Sequence, residues 1–93
     1  MIRSFADKDA ERLFCAGVAR KLPPPIWKRA NMHLSQLHAA AAVGDLTRPP
    51  SNRLEALSGD REGQWSVRIN DQWRLCFRFE DGDAFDVEIV DYH

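Results

Sequence analysis

Ninety-three residues with 44% hydrophobic and 10% aromatic side chains supply one packed core and leave no room for a second, so a single domain over 1–93 is expected. A formal net charge of -1 argues against direct DNA binding, where phosphate contacts call for a markedly basic face. No apolar run approaches the roughly 20 residues of a membrane span, the opening MIRSFADKDAERLF lacks a signal-peptide core, and Cys15 and Cys76, without CxxC spacing, read as buried thiols; the expectation is a cytoplasmic protein with no metal, no cofactor and no membrane contact.

In chain order, IRSF at 2–5 is short and β-capable. From Asp7, a candidate N-cap, the residues Ala10, Leu13, Phe14 and Val18 recur at helical spacing and predict a first helix. After Pro23-Pro24-Pro25, where Pro25 suits a first helical position, Ile26, Ala30, Leu34, Leu37 and Ala41 mark one face of a longer helix that should end near Gly44. His33 and His38 lie beside or near that stripe and read as partly buried or solvent-edge histidines.

Beyond Pro49-Pro50 the pattern changes to period two. A short strand is expected around 53–57. In QWSVRIN, Trp65, Val67 and Ile69 face one way, with Ser66 and Arg68 opposite; in WRLCFRF, Trp73, Leu75, Phe77 and Phe79 oppose Arg74, Cys76 and Arg78. Asn70-Asp71-Gln72 and Glu80-Asp81-Gly82-Asp83 are credible hairpin turns. The last run, AFDVEIVDYH, points Phe85, Val87 and Ile89 inward by parity and sets Asp86, Glu88, Val90 and Tyr92 on the arginine side. The expected architecture is α+β: two N-terminal helices packed on one face of a curved, mainly antiparallel sheet of about four to five strands, with an arginine-rich opposite face.

Charge is uneven along this pattern. Residues 1–50 carry eight Lys or Arg against four acids, +4; residues 51–93 carry five arginines, no lysine and ten acids, -5. A guanidinium fork suits bidentate phosphate contacts, although cross-strand pairing of Arg74 with Asp86 or Glu88 explains the same residues.

The run NRLEALSGDREGQWSVRINDQWRLCF, with VEIVDYH after it and MIRSF before it, resembles the HigB-type branch of the RelE superfamily, toxins of bacterial type II toxin–antitoxin modules. Its RLEALSG loop is most similar to GraT-like members. The resemblance implies a RelE-like microbial RNase fold and ribosome-dependent cleavage of mRNA in the decoding site. It also implies neutralisation by a helix-turn-helix, HigA-type antitoxin, through which alone the protein would reach DNA. In the loop where better-known members carry His and Lys, this chain has Glu55 and Ser58.

RNA cleavage of this kind must deprotonate a 2'-hydroxyl, stabilise a phosphorane and protonate the departing 5'-oxygen. Arg74 is the expected charge stabiliser, with Arg68 second. His93 is the natural acid or base, since imidazole titrates near neutrality, and the terminal carboxylate beside it should favour its protonated form. Tyr92 could stack on a base or orient the phosphate, and Asp91 should orient a neighbour at the strand end. Arg53 and Arg61, beside Gly59 and Gly63, are candidate phosphate ligands; Glu55 is a candidate base. The alternative is a non-catalytic module that engages an antitoxin in transcriptional autoregulation.

Overall fold

The computed structural model describes residues 1–91. Helices α1 (Lys8–Ala16) and α2 (Pro24–Ala39) come first. Strands β1 (Glu55–Ala56), β2 (Trp65–Arg68), β3 (Trp73–Glu80) and β4 (Asp83–Asp91) follow as an antiparallel sheet in sequence order. Both helices bury their apolar stripes on one face. Ala10, Leu13, Ile26, Ala30, Leu34 and Leu37 meet Val67, Leu75, Phe77, Val87 and Ile89 in one continuous core.

Asp7 fixes where α1 starts and how it docks. Its Oδ1 accepts from the amides of Asp9 and Ala10 at 2.7 and 3.3 Å, capping the helix, while Oδ2 accepts from the Ile89 amide at 3.2 Å. One carboxylate therefore ties a helix end to the last strand. The segment before it continues the sheet: Ile2 and Phe5 bridge Ala84 and Val87 in parallel, so β4 is paired on both sides there. The β-capable reading of 2–5 holds as two bridges rather than a full strand.

Three expectations are corrected. α1 stops at Gly17 in the left-handed conformation, φ 78°, so Val18 lies past the stripe and is exposed. α2 ends at Ala39, not near Gly44. The Asp45 carboxylate takes the amides of Ala41 and Ala42 at 2.9 and 3.1 Å, which stabilises a turn in place of another helical turn and leaves Ala41 exposed. Cys15 is exposed, and of the two thiols Cys76 is the buried one.

The fourth correction bears on the functional face. Cys76 pairs with Glu88 and Arg78 with Phe85, so Asp86 and Val87 together stand opposite Phe77. This is a β-bulge, with Asp86 at φ 54°. The extra residue reverses parity: Ala84 is fully buried in the core, while Phe85 turns to the other face beneath Arg78, whose guanidinium lies 5.5 Å from the ring centroid. The bulge amide of Asp86 is taken by Ser4 Oγ at 2.9 Å.

Candidate active site

The sheet face away from the helices carries the arginines in rows fixed by strand register. Arg68, Arg74 and Val90 are cross-strand neighbours; Glu55, Ser66, Cys76 and Glu88 form the adjacent row. This face is less open than its composition implies. Ser66 and Cys76 are fully buried, and only 9% of Arg74 is exposed. The cover is the loop between α2 and β1. Asn52, itself buried, donates through Nδ2 to Gln36 Oε1, the Leu46 carbonyl and the Arg48 carbonyl at 3.1, 3.1 and 3.2 Å. That anchor holds the turn Pro50–Asn52 against α2 and delivers Arg53, at φ 46°, to the edge of the sheet.

Arg74 is consequently held from several sides. Its Nε donates to Ser66 Oγ at 3.0 Å, its Nη2 donates to the Arg53 carbonyl at 2.9 Å, and Glu55 Oε1 stands 3.7 Å from the same Nη2. Glu55 is 54% exposed, so the ion pair opens to solvent on the carboxylate side. The cross-strand pairing of Arg74 with Asp86 or Glu88 that the sequence allowed is replaced by this arrangement. Asp86 instead accepts from Arg78 Nε at 2.9 Å, and Glu88 accepts from Arg61 Nη1 at 2.5 Å. The hydrogen bond with Asp86 raises the Arg78 guanidinium above its ordinary value. Burial pushes the Cys76 thiol up, against the opposing effect of the nearby Arg61 and Arg74 cations.

The structure thus brings together Arg74, the backbone of Arg53, Glu55 and Ser66, with Arg61 and Glu88 beside them across Cys76. Arg61 also donates to Gln64 Oε1 at 3.0 Å. Arg68 sits next to Arg74 in register but directs its guanidinium to Asp71. Ser58 is exposed at the start of the turn Gly59–Arg61 and makes no side-chain cap there. Asp91 lies opposite Trp73 and accepts from Gln72 Nε2 at 3.0 Å. Tyr92 and His93 lie outside the described residues. Ser66 is the participant that sequence reasoning did not single out; its signal is a small hydroxyl on the polar side of a strand next to an arginine-bearing one.

Residues 3–93 match the family described as the RelE-like toxin of type II toxin–antitoxin system HigB. The chain belongs to this family. Among individual HigB-like relatives, "Endoribonuclease HigB" of Proteus vulgaris is 39% identical over 93 residues, all of both chains. "Toxin HigB-1" of Vibrio cholerae is 39% identical over 85 residues, 90% of each. In fold, this HigB-like chain superposes on a chain of the YoeB-YefM toxin–antitoxin heterotetramer from Staphylococcus aureus with a TM-score of 0.62 at 17% identity, covering 100% of this chain and 98% of the other. The RelE-like architecture expected from the sequence is the one observed. No helix among the described residues of this HigB-like toxin is long and apolar enough to cross a membrane.

Proposed function

We propose that this type II toxin is a ribosome-dependent mRNA endoribonuclease that arrests translation, and that it is neutralised by a helix-turn-helix, HigA-type antitoxin. The observation that carries the reading is the Arg74 guanidinium, almost wholly removed from solvent, held by Ser66 Oγ and the Arg53 carbonyl and standing beside the half-exposed Glu55 carboxylate. A cation prearranged in this way stabilises developing phosphorane charge without reorganising during the reaction.

In this mechanism the 2'-hydroxyl attacks the adjacent phosphorus and its proton passes to the Glu55 carboxylate. Arg74 holds the non-bridging oxygens, and His93 returns a proton to the departing 5'-oxygen. The products are a 2',3'-cyclic phosphate and a 5'-hydroxyl. Tyr92 stacks on a base flanking the cleaved bond, and Asp91 orients a neighbouring group at the end of β4. Arg53, Arg61 and Arg68 add positive potential for the RNA backbone, with Ser58 on the same loop side. Glu55 and Ser58 replace the His and Lys of better-known relatives, so this chain leans on the ribosome to bring the 2'-hydroxyl into line. The acidic run from Glu80 to Asp91 disfavours capture of free RNA and supports that dependence. The antitoxin covers the basic helical half, and any contact with DNA is made through it.

The test is primer extension on mRNA programmed into purified ribosomes. Wild type is expected to cut within the decoding site, and Arg74→Ala to lose about 100- to 1,000-fold of that activity, the usual effect of removing one such charge-stabilising donor. His93→Ala and Glu55→Gln are each expected to lose at least tenfold, His93→Ala with a flattened pH profile. Equal cleavage by Arg74→Ala, or efficient cleavage of naked mRNA by wild type, overturns the charge-stabilising role or the ribosome dependence respectively. Absence of any cleavage by wild type transfers the reading to a non-catalytic, antitoxin-binding module.

A further inference from the structure

The loop between α2 and β1 is fastened by two facing amides. Asn52, only 1% exposed, donates from Nδ2 to Gln36 Oε1 on α2 as well as to the Leu46 and Arg48 carbonyls. Gln36 returns a bond from its own Nε2 to the same Arg48 carbonyl, at 2.7 Å. The backbone closes on itself too: the amides of Asn52 and Arg53 donate to the Pro49 and Pro50 carbonyls at 2.9 and 3.1 Å. At the next residue the chain enters the left-handed region, φ 46° at Arg53, which a non-glycine residue keeps only where its surroundings over-determine it. That conformation brings the Arg53 carbonyl to Arg74 Nη2, 2.9 Å away. From α2 to the buried guanidinium the connection runs through hydrogen bonds and adjacent residues alone.

We infer that Asn52 is a positioning residue for the cleavage reaction: with Gln36 it fixes the Arg53 carbonyl, and through that carbonyl the plane of the Arg74 guanidinium. The inference rests on the endoribonuclease reading and deepens it. Ser66 Oγ holds Nε from the strand side, and one contact leaves the fork free to tilt. The Arg53 carbonyl supplies a second point from the loop side. A group that must meet developing charge has to stand within about 0.5 Å of its productive place, and a displacement of about 1 Å can cost about 100-fold in rate. A loop carbonyl meets that demand only if the loop itself is rigid. A buried primary amide is costly unless its donors are met, and those of Asn52 are met by α2 and by the loop, which makes the pair a fixed strut. α2 packs on the sheet face away from the arginines, yet through this strut it takes part in the chemistry without touching RNA.

The test is a double-mutant cycle in single-turnover cleavage of ribosome-bound mRNA by the full chain, comparing Asn52→Ala, Arg74→Ala and the two combined. Rates are expressed per folded molecule, as read by circular dichroism. Asn52→Ala is expected to lower the saturated rate about 10- to 100-fold and to leave the half-saturating ribosome concentration unchanged, since it removes orientation and not binding. In the Arg74→Ala background it should cost nothing further, because a residue that acts only through Arg74 has nothing left to position. The Arg74 Nε–H resonance of the free protein should move in Asn52→Ala. Should Asn52→Ala not fold, Gln36→Ala, which removes a half-buried helix side chain, carries the same cycle and the same expectations. A wild-type rate in the variant overturns the inference. So does a loss that multiplies with that of Arg74→Ala, which would mean an independent structural role, or a loss confined to ribosome affinity. Failure of the parent reading looks different: wild type then cuts no mRNA on ribosomes, and the positioning role falls with it.

Discussion

Cys76 and His33 are the residues at which burial has chemical consequences. Cys76 is fully buried between the Arg61 and Arg74 cations, and its thiol is pushed up by desolvation; Cys15 is exposed. Thiolate is the reactive form. Native protein is therefore expected to take up iodoacetamide at one site quickly and at the second only on unfolding, which mass spectrometry of tryptic peptides resolves. For His33 the folded pKa is lowered, so between that value and the ordinary value of about 6.5 the unfolded chain binds a proton that the folded chain does not. Stability from this group is complete above about pH 6.5 and declines as the pH falls below it. The urea midpoint should drop on going from about pH 7 to about pH 5.5, with a shallower drop in His33→Phe. Parity alone put Arg74, Arg68 and Glu88 on one face, and they lie there. The near-complete burial of Arg74 was not legible, because its cover comes from a loop whose path depends on Asn52 reaching back to α2.

The strands and helices were predicted in their observed order and kind, since long apolar periodicities dominate local choices. What failed were the ends and one register. Asp45 closes α2 by a side-chain contact four residues away, a competition that helical periodicity does not contain. In β4, strict alternation placed Phe85 in the core, whereas the bulge at Asp86 exchanged it for Ala84. A left-handed residue inside a strand is costly for most side chains, least so for Gly, Asn and Asp. Asp86→Val is expected to lose about 2 kcal/mol from backbone strain and the broken contact with Arg78. Asp86→Gly should lose under about 1 kcal/mol, since glycine adopts φ > 0 freely. Urea denaturation of both checks the pair, and equal losses would mean that the Arg78 contact, not the backbone, sets the cost. Leu34, fully buried in α2, should cost about 2–5 kcal/mol as Leu34→Ala by the same measurement.

At the scale of the whole molecule the sheet is assembled mostly from neighbours in sequence, with one exception. The helices and the β1-to-β4 meander close through short turns, but residues 2–5 reach β4 across separations of up to 82 residues. Contacts of that span carry the largest loop-closure entropy and are made late. Amide exchange should reflect this: Val87 and Ala84, which donate to Ser4 and Met1 carbonyls, are expected to exchange faster than the β3 amides of Leu75 and Phe77. Equal protection would mean that the first segment opens only with global unfolding.

The same parallel cover has a colloidal consequence. A bare outer strand is a template for other chains, and residues 2–5 occupy the outer edge of β4 through hydrogen bonds from Arg3 and Ala6 to Ala84 and Val87 carbonyls at 2.7 and 2.9 Å. When that segment lifts, each molecule offers an open, β-competent border to the next. Trimming or tagging these first residues should therefore show itself as turbidity during concentration before it shows itself as lost folding.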